Sequence, residues 1–220
     1  LIYLGALAVP GTVGSISDNQ EIVIDTIIPT VTEVDVVEPV PTDGFYKAGE
    51  TMDVLVKISE IVNVSGTPQI TLDNTSGADF AVNFTSGSGT DTLTFQYTIA
   101  AGQDNADLDY VSTTSLALNG GDIEDPATND LILTLAAPTT SGSISDDLEI
   151  NVDTTRPTVT GVDVIEPIPA DVYYTDPEVM QIQVKFDEIV NVPAGTPQIS
   201  LDNIGGADYT VNYSSGSGSA

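Results

Sequence analysis

The sequence predicts an all-β chain of tandem immunoglobulin-like β-sandwich domains joined end to end by short linkers. Three observations carry that prediction. Apolar residues are 40% of the chain, mostly Val, Ile and Leu in short alternating runs, which is strand composition. Gly, Asn, Asp and Ser punctuate those runs as turn residues. The chain also repeats itself at an offset of about 128 residues, a length that suits one sandwich of seven or eight short strands.

The repeat is explicit. Ile22-Val23-Ile24-Asp25-Thr26 returns as Ile150-Asn151-Val152-Asp153-Thr154, and Pro29-Thr30-Val31-Thr32 as Pro157-Thr158-Val159-Thr160. Ile61-Val62-Asn63-Val64 matches Ile189-Val190-Asn191-Val192. Gly66-Thr67-Pro68-Gln69-Ile70 matches Gly195-Thr196-Pro197-Gln198-Ile199 after a one-residue insertion near Ala194. This register divides the chain into residues 1–28, the C-terminal end of a preceding repeat; 29–156, a complete repeat; and 157–220, the N-terminal half of a following one. Such a division reads as a window on a longer array, because each repeat buries its core only when whole.

Within the complete repeat, Val31–Val37 alternates until Glu38-Pro39-Val40-Pro41 stops it, since proline donates nothing to a ladder. Met52–Ile58 alternates next, with Val54, Val56 and Ile58 on one face. Gln69–Leu72, Phe80–Phe84, Leu93–Ile99, Leu108–Leu118, Leu131–Ala136 and Leu148–Val152 complete the expected strands. No helical periodicity is present.

The charge is the second signal. Asp and Glu number 33 against 4 Lys and Arg, a net charge of −29, which excludes nucleic acid and anionic membrane surfaces as partners. Cys and His are absent, so thiol nucleophiles, Ser-His-Asp catalysis, zinc sites and disulfides are excluded. Paired carboxylates could hydrolyse glycosides, but no pair is singled out, and an enzyme is not expected. No apolar stretch reaches the roughly 18–20 residues that span a bilayer. Leu1–Val9 is apolar but has no basic flank or cleavage motif, so it is not read as a signal peptide.

Several acids recur between copies, among them Asp25/Asp153 and Glu60/Glu188. Asp25 and Asp153 end the last strand of a repeat, just before the link. In an immunoglobulin-like topology the loop after the second strand, with Glu60 or Glu188, lies at that same end, as does the loop from Asp122 to Asp130. Carboxylates converging on a short link repel one another unless a cation holds them, and hard oxygen ligands in loops suit Ca²⁺. The expected ligands are Asp25, Glu60, Asp125 and Asn129 at one junction, and Asp104, Asp107, Asp153 and Glu188 at the next. The competing reading makes these acids solvated turn residues that keep the chain soluble.

The phrases Tyr46-Lys47-Ala48-Gly49-Glu50, Ser59-Glu60-Ile61-Val62-Asn63-Val64, Gly66-Thr67-Pro68-Gln69-Ile70-Thr71-Leu72 and Asp107-Leu108-Asp109-Tyr110 belong together. In combination they resemble the long immunoglobulin-like tandem repeats of giant, calcium-dependent, type I-secreted bacterial surface adhesins, and the resemblance covers essentially the whole chain. It implies a non-catalytic extracellular stalk, at the cell surface or secreted. Its partners would be neighbouring repeats of the same chain, with a surface ligand bound by a tip elsewhere. The family's common Asp-x-Ala-Gly-Asn loop reads Asp125-Pro126-Ala127-Thr128-Asn129 here, with threonine in place of glycine.

Two alternatives remain open. One is a glycan- or protein-binding module using Tyr46, Tyr110, Tyr173 and Tyr174, which would need those rings exposed, whereas tyrosines commonly flank sandwich cores. The other is a subunit of a self-assembling surface filament, in which unpaired strand edges pair between copies. A Lys–Asn crosslink is not expected, because Lys57 and Lys185 alternate with the core-facing residues and so point to solvent.

Overall fold

The computed structural model describes residues 7–19, 22–37, 45–165, 174–175 and 177–219. Two compact units are present, residues 1–154 and 155–220. The second boundary falls two residues before the one expected from the repeat, and residues 7–28 group with the first unit. The Glu38–Pro41 break and Tyr173 lie outside the described residues.

In the first unit the elements are α1 (Ile16–Asn19), β1 (Val31–Val36), β2 (Phe45–Tyr46), β3 (Thr51–Ser65), β4 (Gln69–Leu72) and β5 (Phe80–Ser86). They continue with β6 (Thr90–Thr98), β7 (Leu116–Ala117), β8 (Asp122–Glu124), α2 (Ile144–Asp147) and β9 (Asn151–Val152). The main sheet runs β1-β3-β6-β5-β4-β7, with β8 added along the end of β3. All of its pairings are antiparallel, whereas β2 and β9 pair in parallel.

Alternation explains the core. Met52, Val54, Val56 and Ile58 of β3 are buried with Val34 and Val36 of β1 and Leu93 and Phe95 of β6. Ile70, Leu72 and Val82, from the other end of the sheet, are fully buried in the same cluster. Burial this complete requires a second layer, and the two one-turn helices are too short to supply it. The sheet therefore folds over on itself in a sandwich-like arrangement. Its pairings slip between Lys57 and Val62 of β3 and between Phe84 and Ser86 of β5, the irregularities at which strands bend and change partners. Tyr110 and Leu108 fill the interior, and the Tyr110 hydroxyl donates to the Ala136 carbonyl at 2.8 Å.

The second unit contains β10 (Val159–Ile165) paired with β11 (Gln181–Phe186), and β12 (Gln198–Leu201) paired with β13 (Tyr209–Asn212). It reproduces the register of the first: Val162 opposes Val184 as Val34 opposes Val56. Burial differs, since Val34 is 1% exposed and Val162 51%.

Several elements depart from expectation. The stretch Leu108–Leu118 yields only β7, because Ser112 to Ser115 form a turn closed by the Ser115 backbone N–H on the Ser112 carbonyl. Leu131–Ala136 is extended but joins by isolated bonds, Ile132 N–H to the Pro29 carbonyl and Leu135 N–H to the Thr113 carbonyl. The identical segments Ser15-Ile16-Ser17-Asp18 and Ser143-Ile144-Ser145-Asp146 each form one helical turn, too short to show a 3.6-residue period. No helix among the described residues is long and apolar enough to cross a membrane.

Candidate metal centre

The chain enters the sandwich beside the middle of β3. Pro29 accepts a hydrogen bond from Ile132 N–H, the Thr30 carbonyl accepts one from Ser59 N–H, and Thr30 N–H donates to Ser59 Oγ, all at 2.9–3.0 Å. Fixing residues 29 and 30 between Ser59 and Ile132 brings Asp25 to the neighbours of those residues.

Glu60 is not in a loop, as the sequence reading had it, but within β3. The strand runs on for 15 residues because its register slip lets it leave β6 and pair with β8 through Asn63, Val64 and Ser65. The inward alternation Met52, Val54, Val56, Ile58 continues through Glu60 to Val62. A carboxylate thus occupies a position whose neighbours on the same face are aliphatic. Its Oε1 is buried and has no hydrogen-bond partner.

Asp125 faces it from the turn after β8. This side chain is 1% exposed. Its Oδ1 accepts from the backbone N–H of Ala127 at 2.7 Å and of Asn129 at 2.9 Å, and its Oδ2 from Asn129 Nδ2 at 2.7 Å. Two backbone bonds close the loop, Asp125 N–H to the Asn129 carbonyl and Thr128 N–H to the Asp125 carbonyl. Thr128 has a φ of +68°, so a β-branched residue holds a left-handed position in this turn.

Carboxylate oxygens of Asp25, Glu60 and Asp125 all lie within 4.8 Å of one another. Burial pushes the Glu60 carboxyl above its ordinary range, and the charges of Asp25 and Asp125 push it further. Burial also acts to raise Asp125, but the bonds from Asn129, Ala127 and Thr128 outweigh it and hold that carboxyl below its ordinary range. One acid is therefore committed to its anion while its neighbour resists ionising, a conflict that a cation between them resolves. The geometry fits one: oxygens sharing a Ca²⁺ at about 2.3–2.6 Å stand at most about 5 Å apart.

Three of the four residues expected at the first junction thus converge as carboxylates, and Asn129 stands behind Asp125. The other expected set divides between the units. Asp104 Oδ1 accepts from Thr154 N–H at 2.6 Å and Oδ2 from Ser76 Oγ at 2.8 Å, so this carboxylate ties the end of the first unit to the loop after β4. Asp107 is exposed, its N–H donating to Asn105 Oδ1. Asp153 N–H donates to the Tyr46 carbonyl. Glu188 is half-buried in the second unit, on the same alternation as Ile182, Val184 and Phe186.

A second group, Asp122, Glu124 and Asp130, also has carboxylate oxygens within 4.8 Å of one another. The sequence reading did not single it out. The signal was present, since Asp122 and Glu124 alternate on one face of β8 and Asp130 bridges Glu124 across the loop. A buried carboxylate was missed as well: Asp109 Oδ2 accepts from Thr139 N–H and Ser145 Oγ, which closes the chain over the core. Of the tyrosines considered for ligand binding, Tyr46 and Tyr110 are buried. Lys57 does lie on the outer face, paired with Glu33 at 2.8 Å and Asp35 at 3.0 Å.

Comparison of the chain with protein-family models, with curated proteins and with solved structures gives no match.

Proposed function

We propose that this chain is a structural stalk segment of a large bacterial cell-surface adhesin or extracellular fibre, built from tandem immunoglobulin-like repeats and stiffened by Ca²⁺ where the chain enters a repeat. Asp25, Glu60 and Asp125 would hold the ion, which supplies positive charge to three converging anions. Asp25 belongs to the segment that precedes the sandwich, whereas Glu60 and Asp125 belong to the sandwich itself, so joining them fastens that segment. The module has no catalytic role in this reading, and it acts outside the cell as a spacer for a binding tip.

The observation that carries the proposal is Glu60, whose buried Oε1 has no hydrogen-bond partner and whose carboxylate lies together with those of Asp25 and Asp125. Solvated turn acids do not need burial, and a buried carboxylate oxygen without a partner is costly unless a cation meets it. The resemblance of the repeat phrases to adhesin stalks supports the extracellular setting, as does the heavily acidic composition. The test compares the chain in Ca²⁺ and in chelator. Expected in Ca²⁺ are a higher melting temperature, slower amide exchange across residues 22–30 and a longer maximum dimension in small-angle scattering, with all three differences lost in Glu60→Gln. Identical behaviour in both buffers would remove the ion from the account.

A further inference from the structure

The structure points to a division of labour in the loop after β8, and we infer that Asn129 is a positioning residue that aims the Asp125 carboxylate instead of binding the cation itself. This rests on the cation-site reading above. An aspartate carboxylate has about four acceptor positions. Three of those on Asp125 are taken, two on Oδ1 by the N–H groups of Ala127 and Asn129 and one on Oδ2 by Asn129 Nδ2. What remains free is on Oδ2, which becomes the oxygen presented to the ion.

The Asn129 amide is planar, so with Nδ2 directed at Asp125 its carbonyl oxygen turns away from that carboxylate. Reversing the amide would set two unprotonated oxygens 2.7 Å apart. The backbone reinforces the arrangement. With Thr128 left-handed, both the N–H and the side chain of Asn129 converge on one carboxylate, and the Asn129 carbonyl is used by Asp125 N–H. Groups that orient a ligand in this way control affinity without entering the coordination shell.

The experiment uses the full chain with Ca²⁺ for affinity and one equivalent of Eu³⁺ for hydration, read from luminescence lifetimes in H₂O and D₂O. The signal of this site is the part that Glu60→Gln abolishes. In Asn129→Ala the Ca²⁺ dissociation constant is expected to rise about 10–100-fold, while the number of water molecules on the bound Eu³⁺ stays at its wild-type value. A gain of one water would show that a ligand had been removed and would overturn the inference, as would an unchanged affinity. Asn129→Ser is measured in parallel, with metal-free melting of both variants, so that a folding defect in one leaves the other to decide. Absence of any Glu60-dependent signal in the wild type would overturn the cation site itself, and this inference with it.

Discussion

Thr128 offers a direct test of the loop geometry. Its φ of +68° places an L-residue where the β-carbon crowds the following carbonyl, which costs about 1–2 kcal/mol, and a β-branched residue is an outlier there. The side chain is exposed, so glycine removes no buried contact. Glycine also gains freedom in the unfolded chain, which returns about 0.4–1 kcal/mol. The net expectation for Thr128→Gly is a gain of about 1 kcal/mol. In a unit of this size that corresponds to a rise in melting temperature of roughly 2–4 °C. Differential scanning calorimetry in chelator measures it, with Thr128→Ala as the control that keeps a β-carbon. If the glycine variant melts no higher than both the wild type and the alanine variant, the strain argument is wrong.

Other outcomes follow from the same structure. Glu60→Gln should raise the melting temperature in chelator, because a neutral amide relieves the convergence of three acids, and should remove the gain from Ca²⁺, which for a wild-type site at 100 times the dissociation constant is about 2.7 kcal/mol; denaturant titration with and without ion checks both. Because the folded pKa of Glu60 is raised, its contribution to metal-free stability is present below the ordinary glutamate value and is lost as pH rises through the raised one. Wild type minus Glu60→Gln stability should fall across that window in chelator, and a flat difference would contradict the assignment. In the second unit Thr158 lowers the Asp187 pKa, so its contribution is present above the ordinary aspartate value and is lost as pH falls through the lowered one. Asp187→Asn should therefore weaken amide protection near Thr158 at neutral pH and lose that effect in acid. Phe95→Ala should cost about 3–5 kcal/mol, whereas Val162→Ala, at a position 51% exposed, should cost well under 1 kcal/mol; near-equal losses would argue against the difference in burial between the two positions.

The fold was legible wherever alternation is strict. Val31–Val36, Gln69–Leu72 and the first half of β3 lie where the period of two puts them. It failed where pairing is irregular. Leu108 and Tyr110 are buried without belonging to a strand, so apolar character there reports burial and not extended pairing. The two helical turns and the two-residue strands β2 and β7 are shorter than any periodicity can register. For the site, Asp25, Glu60 and Asp125 were each legible as acids near an entry point. The location of Glu60 within β3 was not, because a bulge that carries a strand past a turn-like Ser-Glu pair leaves no compositional mark. A sharper signal was available and unread: counting by twos from Met52 lands a glutamate among valines and isoleucines. The same count from Ile182 lands on Glu188. Asn129 is expected as a ligand from its place in the Asp122–Asp130 loop, and the direction of its amide, with Nδ2 on Asp125 Oδ2, is not legible in the sequence.

Under the proposed stalk reading, the occupant of that one rung of β3 has a consequence for how such a chain would adapt. Ile58 and Val62 are buried on either side of Glu60, so on that reading residue 60 is the position at which one substitution would remove the response to the ion. Segments carrying the acid would then loosen where divalent ions are scarce and tighten where they abound. Segments without it would not respond to the ion. A fibre mixing the two kinds could have its pliable points set repeat by repeat, with no change to the architecture of any one of them.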